Sequence, residues 1–224
     1  MPENEQKPSW RGRARYRKPA GAEGDFEPGS NGHVLANLKG ITDPRVMDEA
    51  EYRALIAVQQ RYYEMLTPET RITAKLICQM HRNWLGELYA WAGQYRTVEL
   101  QKDNFAWPPA WRLSDNLAIF EREMLGRFTP CRTGPLAQVA DAMAHIHAEL
   151  LLIHPFRDGN GRLARWLADI MAVQAGYPVP DYGLTGRGSV AQRRRYIAAV
   201  SQGYAQIYEP LAVFFVEAVE RGGR

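Results

Sequence analysis

The chain has little cysteine and no long uninterrupted hydrophobic segment. Its 224 residues include two cysteines, Cys78 and Cys131, and neither has a partner at metal-ligand spacing, so we predict no disulfide framework and no cysteine metal site. No apolar run approaches the length that spans a bilayer, and no hydrophobic region follows the N-terminal charges. We therefore expect no membrane span. A cytoplasmic location is the default expectation, with secretion into a host cell left open.

Histidine is also scarce, and its spacing does not favour zinc. His145 and His147 are two residues apart on a predicted helix, so they cannot share a face. What the chain does have is length and 46% hydrophobic residues, enough to bury one substantial core. We predict a single domain with a possible appendage.

The net charge of +3 is unevenly placed, because basic residues crowd the N-terminal region. Residues 1–33 are rich in Gly and Pro and poor in aliphatics, which predicts a flexible extension preceding a domain at 34–224. A basic arm could contact nucleic acid or anionic lipid, but no recognition module follows it, so a solvated arm is favoured. The same two interpretations apply to Arg193–Arg195. The basic residues of the arm are Lys7, Arg11, Arg13, Arg15, Arg17 and Lys18.

Helical periodicity dominates from residue 34 onward and predicts an all-α domain. Asp43 and Pro44 read as the cap and first turn of one helix, and Thr73 reads as the cap of the next. Pro155 should take residue 154 out of helical geometry, so the central core helix should end almost at His154. The predicted helices cover 44–66, 74–88, a segment from about 113, 136–153, the segment after 160, 189–202 and 209–221.

One segment departs from the helical pattern, at residues 96–107. Thr97–Gln101 alternates by two, Lys102-Asp103-Asn104 has turn chemistry, and Phe105–Trp107 resumes the alternation before two prolines. We predict a short β-hairpin, and a packed surface loop is the alternative.

The most informative stretch is His154-Pro-Phe-Arg-Asp-Gly-Asn-Gly-Arg-Leu-Ala-Arg165. Gly159 and Gly161 let the backbone bend until its N–H groups converge, and a helix beginning there adds its positive end, which predicts an anion-binding loop. Arg162 and Arg165 lie three residues apart and can hold successive phosphates from one helix face. Phe156 and Leu163 are expected to be buried beneath the loop.

The other two polar groups of this stretch complete a phosphate-transfer site. Asp158 offers the hard oxygen that seats Mg²⁺ beside a polyphosphate. His154 can act as a general base, because its ordinary pKa lies near neutrality. A plain turn is one alternative, since Asp-Gly-Asn-Gly also favours turns. A calcium loop is another, but it would need further carboxylates in place of the arginines.

These residues match the signature of the Fic family, His-x-Phe-x-(Asp/Glu)-Gly-Asn-Gly-Arg-x-x-Arg, at all eight specified positions. The chain resembles family members that transfer AMP from ATP to a protein hydroxyl. The resemblance implies the Fic fold, a helical bundle around the motif helix pair with a β-hairpin flap. Gly161 argues against the phosphokinase branch that is similar to Doc, in which lysine replaces this glycine.

The resemblance also implies roles for individual residues. His154 would deprotonate the target and Asp158 would position Mg²⁺, while the flap would pair with an extended segment of the target protein. Residues of the loop, the flap and the helix near 189–202 would bind ATP: Gly159, Asn160, Gly161, Arg162, Arg165, Lys102, Asp103 and Ser201. The target-binding side chains on the flap would be Val98, Leu100 and Phe105.

Regulation is a further implication of the resemblance. The family's inhibitory helix reads Ser/Thr-x-x-x-Glu, and its glutamate pairs with the second arginine, here Arg165. No Ser or Thr of this chain has Glu four residues later, which predicts a small separate antitoxin that supplies the glutamate. Residues 35–43 resemble, more loosely, the leader of bacterial Fic toxins. The function predicted is thus an ATP- and Mg²⁺-dependent protein adenylyltransferase that acts as a toxin.

Two alternatives remain at this point. The same site could transfer another nucleotide such as UMP, or a phosphate. A non-catalytic module could instead bind nucleotide only as a sensor, although the complete set of His154, Asp158 and both arginines disfavours it.

Overall fold

The computed structural model describes residues 22–186 and 188–224, and most of this part of the chain is helical. Its main helices are α1 (Pro44–Met65), α2 (Ala74–Leu85), α3 (Leu113–Phe120), α4 (Leu136–Ile153), α5 (Asn160–Gln174), α6 (Ser189–Gly203) and α7 (Glu209–Gly222). A π-helical turn (Glu121–Leu125) and a last α-helical turn (Gly126–Phe128) extend α3. The all-α prediction is confirmed.

The predicted helix starts are confirmed by their caps. Asp43 accepts a hydrogen bond from Arg45 N at 2.8 Å, with Pro44 in the first turn of α1. Thr73 Oγ1 accepts from Leu76 N at 3.1 Å at the start of α2. The end of α2 was predicted three residues too late, because Gly86 follows Leu85 and the chain leaves the helix there to form a turn.

Helix α4 lies at the centre of the core and packs against α5 and α7. By length and composition it could cross a membrane, so the expectation that no segment reaches that length was too strict. However, 61% of its residues are buried inside the protein, as expected for the core helix of a globular domain. Its apolar residues therefore serve packing, and its C-terminal end positions His154.

The predicted hairpin is present, although its strands are short. β1 (Gln101–Lys102) pairs antiparallel with β2 (Phe105–Ala106), with Gln101 opposite Ala106 and Lys102 opposite Phe105. Asp103 adopts a positive φ of 52° in the turn. We call residues 96–107 the flap.

The structure of residues 22–33 differs from the flexible extension that was predicted for residues 1–33. Residues 1–21, which include all six basic residues of the arm, lie outside the described residues. Phe26 forms a β-bridge with Leu35, and Glu27 N donates to Val34 O at 2.8 Å. The segment also contacts the domain, since the carboxylate of Glu23 accepts from Thr97 N at 2.9 Å. Ordered structure therefore begins before residue 34, because backbone hydrogen bonds hold a segment whose composition is typical of a flexible one.

Candidate active site

His154 lies at the C-terminal end of α4, where the helix stops as predicted. Its backbone is left-handed, with φ 53° and ψ 60°, because the following Pro155 disfavours the helical region. The side chain is only 5% exposed. The sequence predicted that residue 154 would leave helical geometry, but it did not specify the left-handed conformation.

The hydrogen bonding of His154 defines its tautomer. Nδ1 lies 3.1 Å from the carbonyl oxygen of Leu151, which can only accept, so Nδ1 carries the hydrogen and the lone pair is on Nε2. Burial lowers the pKa of His154 to about 4, so the imidazole is neutral at pH 7. Trp107 packs on the ring at 4.2 Å and donates its Nε1–H to the same Leu151 carbonyl at 2.9 Å. The site thus contains a neutral, fixed imidazole that is able to accept a proton.

The loop between α4 and α5 is closed by the side chain of Asn160. Asn160 Oδ1 accepts from Phe156 N at 3.0 Å, and its Nδ2 donates to Phe156 O at 2.7 Å. Both ends of this buried amide thus have a partner inside the loop, and the contact of Asn160 with nucleotide stays a prediction. The N–H groups of Asn160 and Gly161 lie at the first turn of α5, where an anion is favoured.

Glycine is required at position 159 by both conformation and space. Gly159 has φ 85°, and a Cβ there would lie 3.0 Å from Trp84 and 3.2 Å from His81. His81 is buried and stacked on Phe156 at 3.9 Å. Its Nδ1 accepts from Gly93 N at 2.8 Å, so its Nε2–H donates to Asp158 O at 3.0 Å. The loop is therefore supported from below by α2, and Phe156 and Leu163 are buried as predicted.

The two arginines lie on the first turns of α5, but they have different surroundings. Arg162 pairs through Nη1 with the buried carboxylate of Glu51, and its guanidinium lies 4.6 Å above the ring of Trp84. Arg165 donates to the hydroxyl of Tyr196 at 3.4 Å, and its Nη1 lies 3.7 Å from the position that a Cβ of Gly161 would occupy. Both guanidinium groups are therefore beside the helix N-terminus.

Tyr196 is in turn fixed by a buried histidine. His147 Nε2 lies 2.7 Å from the Tyr196 hydroxyl, and its Nδ1 lies 3.1 Å from the carbonyl of Ala164. Burial, and then the charge of Arg165, lowers the pKa of His147 to about 3. The neutral Nε2 of His147 accepts a hydrogen bond from the Tyr196 hydroxyl, so the phenolic oxygen of Tyr196 can accept a hydrogen bond from Arg165. His147 thus helps to position Arg165 through Tyr196.

Asp158 lies at the mouth of the loop, as the motif requires. Its Oδ1 accepts from Gly159 N at 2.6 Å, and its Oδ2 lies 3.9 Å from Arg162 Nη2. Within residues 22–186 and 188–224, no three His, Cys, Asp or Glu side chains are grouped as a metal site. A single carboxylate fits Mg²⁺, which takes most of its ligands from substrate phosphates and water, better than it fits Zn²⁺.

Arg96 joins the flap to His154, and sequence reasoning did not find it. Its buried guanidinium donates to three carbonyl oxygens: His154 at 2.9 Å, Val98 at 2.8 Å and Pro108 at 2.6 Å. Its backbone N–H donates to Pro155 O at 2.8 Å. Both ends of the flap are therefore tied to the backbone around His154.

The three flap side chains that were predicted to bind the target differ in their exposure to solvent. Val98 and Leu100 are 4% and 1% exposed and form a small cluster with Trp107. Both side chains therefore face the protein interior, as their apolar character in the alternating pattern indicates, and their contact with a target stays a prediction. Phe105 is 36% exposed and stacks on Tyr204 at 5.1 Å, so it remains a candidate.

The remaining predicted nucleotide contacts lie at the edges of the site. Lys102 is exposed on β1, and its charge is close enough to contribute to the lowered pKa of His154. Asp103 forms the flap turn, where its carbonyl accepts from Gln101 Nε2 at 3.2 Å. Ser201 is exposed and donates to Ile197 O within α6 at 2.9 Å, and its predicted contact with adenine stays a prediction.

Glu51 is a second residue that sequence reasoning missed, although a signal was present. The buried face of α1 carries Met47, Glu51, Val58 and Tyr62 at helical spacing, so a carboxylate interrupts an apolar stripe. A buried carboxylate needs a partner. Arg162 could have been suggested as that partner, but only the fold brings together two residues that are 111 positions apart.

The structure is a helical domain in which a loop with a buried histidine leads into the N-terminus of α5, and comparison with known proteins finds the same family of folds. The model of the Fic/DOC family matches residues 71–172. This match spans 102 of the 224 residues, and over that segment the chain resembles the Fic/DOC family.

Several relatives and solved structures resemble the chain over most of its length. A probable protein adenylyltransferase y4lH of Sinorhizobium fredii is 28% identical and covers 80% of this chain and 88% of its own length. The protein adenylyltransferase VbhT of Bartonella schoenbuchensis is 29% identical over 65% of this chain, which spans only 30% of that relative. The Fic domain of the effector Bep8 from a Bartonella species has a TM-score of 0.69 at 16% identity, with 84% and 91% of the two chains covered. BepC of Bartonella tribocorum, with bound AMPPNP, has a TM-score of 0.66 at 20% identity, with 82% and 91% covered.

Proposed function

We propose that this chain is a protein adenylyltransferase, which transfers AMP from ATP to a hydroxyl side chain of a target protein. The observation that carries the proposal is the neutral His154, whose Nδ1–H is held by Leu151 O beside the N-terminus of α5. Relatives that cover most of the chain bear the name protein adenylyltransferase. A base next to an anion-binding helix end and two arginines is the arrangement that attack on a phosphate requires.

The reaction follows from these groups. Nε2 of His154 takes the proton of the target hydroxyl, and the hydroxyl oxygen forms a bond with the α-phosphorus. The bond from that phosphorus to the bridging oxygen breaks, and pyrophosphate leaves with the negative charge. Arg162 and Arg165 stabilise that charge, together with the N–H groups of the loop. Asp158 would hold Mg²⁺, which neutralises phosphate charge when bound.

The target would approach over the flap. An extended segment of the target can add to a short exposed strand by backbone hydrogen bonds, which would hold its hydroxyl near His154. The exposed Phe105 is the side chain of the predicted flap set that such a segment would meet. The target protein itself is identified by the labelling experiment.

The labelling experiment uses ATP carrying ³²P at either the α- or the γ-position, with a bacterial lysate as the source of targets. Transfer of label from the α-position only, together with a mass increase of AMP on Ser, Thr or Tyr, supports the proposal. Label from the γ-position only would assign phosphate transfer instead, and transfer from UTP alone would assign another nucleotide. Nucleotide binding with no transfer to any protein would favour the sensing module.

We also propose that a separate polypeptide inhibits the chain by bringing a glutamate to Arg165, as in a toxin and antitoxin pair. Among the described residues no carboxylate forms an ion pair with Arg165, although Glu51 forms one with Arg162. An external glutamate would occupy the place of a phosphate on that guanidinium. The cytoplasmic location expected from the sequence stays a prediction. The Bep proteins are named as translocated effectors, so both locations are compatible with this regulation.

The toxin proposal predicts a growth phenotype. Expression of the chain alone in a bacterial host should slow growth, because no carboxylate of the described residues forms an ion pair with Arg165, and the substitution His154→Asn should restore growth. Colony counts after induction measure the effect, with immunoblots to match protein levels. Normal growth beside undiminished labelling activity in the same cells would rule out the toxin function while leaving the enzyme intact.

A further inference from the structure

The ion pair between Glu51 and Arg162 joins the N-terminal helix of the domain to the phosphate-binding loop. Glu51 is 3% exposed, and its Oε2 accepts from Arg162 Nη1. An ion pair removed from water in this way adds little to stability, because desolvation of the two charges offsets their attraction. Its presence beside the site therefore calls for an explanation other than stability.

The carboxylate of Glu51 is held in one orientation by two aromatic residues. Tyr89 donates its hydroxyl to Oε1 at 2.6 Å, which leaves Oε2 for Arg162. Trp84 donates Nε1–H to the backbone carbonyl of Glu51 at 2.8 Å. Tyr89 is itself stacked on Trp91 at 4.5 Å. Because both oxygens and the backbone have partners, the carboxylate cannot rotate without breaking a buried hydrogen bond.

The guanidinium of Arg162 is fixed on one edge and lies toward the loop on the other. Trp84 packs on its face at 4.6 Å, and Glu51 holds Nη1. Nη2 lies 3.9 Å from Asp158 and makes no hydrogen bond to any of the described residues. A buried N–H without an acceptor costs roughly 1–3 kcal/mol, which an oxygen of a bound phosphate would offset. The side chain is thus oriented for an anion that the protein does not itself provide.

We propose that Glu51 is a positioning residue for nucleotide binding, which fixes Arg162 in the orientation that receives a phosphate. The inference rests on the proposed role of Arg162 as a phosphate contact, and Glu51 does not touch the nucleotide. An arginine held in place loses less side-chain entropy when it binds, so the pair raises nucleotide affinity. A carboxylate that competed with phosphate for Arg162 would have the opposite effect, and the two roles differ in the sign of the change.

The test is the substitution Glu51→Gln, which keeps the shape and a hydrogen-bonding oxygen but removes the charge. We expect the KM and the Kd for ATP to rise about tenfold, equivalent to about 1.4 kcal/mol, together with a lower melting temperature, because the charge of Arg162 loses its buried partner. The matched control is Glu49→Gln on the same helix, where Glu49 is exposed and pairs with Arg53. An unchanged or lower Kd in Glu51→Gln would overturn the inference, and increased transfer would identify Glu51 as a brake.

Two further variants separate this inference from the proposed function. Tyr89→Phe removes only the hydroxyl that orients Glu51, and it should raise the Kd for ATP in the same direction. It decides the matter if Glu51→Gln does not fold, because an unchanged Kd in Tyr89→Phe then overturns the inference. Arg162→Ala tests the contact itself. If it leaves ATP affinity unchanged, the phosphate role of Arg162 is wrong. If it weakens binding while Glu51→Gln does not, only the positioning role is wrong.

A double substitution completes the test. In the Arg162→Ala background, Glu51→Gln should have no further effect on ATP affinity, because a residue that acts through Arg162 has nothing left to position. Additive losses in the double variant would show that Glu51 acts by another route, and would overturn the inference.

Discussion

Substitution of His154 by asparagine is expected to lower the rate constant for AMP transfer by roughly 10²–10⁴-fold, the usual contribution of a general base. Asparagine is a better test than alanine, because residue 154 has a φ of 53° and Asn tolerates left-handed geometry more readily. Its side-chain N–H₂ could still donate to Leu151 O, so the variant removes the base and preserves the local fold. His154→Ala should lose the same activity with an added cost from backbone strain.

The His154 variants should lose AMP transfer while keeping their affinity for ATP. ATP binding, measured by calorimetry, should change little in His154→Asn, since the phosphates are held by the loop and arginines. The control is His145→Ala on the same helix, where the imidazole contacts the Asp141 carbonyl at 2.9 Å and is remote from the motif in its hydrogen bonding. Retention of more than about a tenth of the transfer rate in His154→Asn would exclude a general base at this position.

The lowered pKa of His154 allows its role as general base to be tested by the pH dependence of the reaction. Burial and then the charge of Arg96 hold its pKa down to about 4, opposed by Leu151 O and Asp158. The base is therefore unprotonated above about pH 5, and kcat/KM should stay level from pH 8 to pH 6 as far as this group is concerned. An unperturbed histidine would instead lose activity below its ordinary pKa of about 6.5. A fall centred near pH 6.5 that is absent from ATP binding would contradict the neutral, buried base.

Replacement of Arg96 by methionine is expected to lower the free energy of unfolding by roughly 3 kcal/mol, because three carbonyls each lose a hydrogen bond whose net contribution is about 1 kcal/mol. Methionine preserves much of the volume, so the loss reports on the hydrogen bonds more than on a cavity. Arg96→Lys should recover only part of the stability, since an ammonium lacks the planar fork that reaches His154, Val98 and Pro108 together. Urea unfolding measures all three proteins.

The control for Arg96 is Arg112→Met at the far end of the flap region, where the exposed guanidinium lies over Trp111 at 4.6 Å. We expect a change within about 0.5 kcal/mol there. Arg96→Lys should also reduce transfer more than it reduces ATP affinity, because His154 O is one of the lost partners. A loss below about 1 kcal/mol in Arg96→Met would show that the flap is held by its apolar cluster alone.

The sequence predicted those parts of the molecule that depend on neighbours along the chain. Asp43 with Pro44 and Thr73 mark helix starts, and Pro155 ends the core helix, because capping and proline geometry act within a few residues. The motif at residues 154–165 could be recognised from the sequence for the same reason. Its residue types and spacing are local, and Phe156 and Leu163 are buried as expected.

The parts that the sequence did not predict depend on distant partners. Nothing near Glu51 or Arg96 indicates that one pairs with Arg162 and the other with the carbonyl of His154. The alternation of Val98 and Leu100 with polar residues indicates that they are buried, but it does not indicate that their partner is Trp107. The flap and the loop at residues 154–165 could therefore be predicted from the sequence, while the contacts that join them could not.

The packing of residues 22–33 has a practical consequence for the choice of fragments in structural and biochemical work. Arg157 is 3% exposed, and its Nε donates to the carbonyl of Glu23 at 2.7 Å, directly beside the loop that carries Asp158 and Gly159. A fragment cut at residue 34 would remove that carbonyl, along with the carboxylate that accepts from Thr97 N at the base of the flap. Low activity in such a fragment would then reflect the position of the cut. A recombinant fragment of this domain should begin upstream of residue 22.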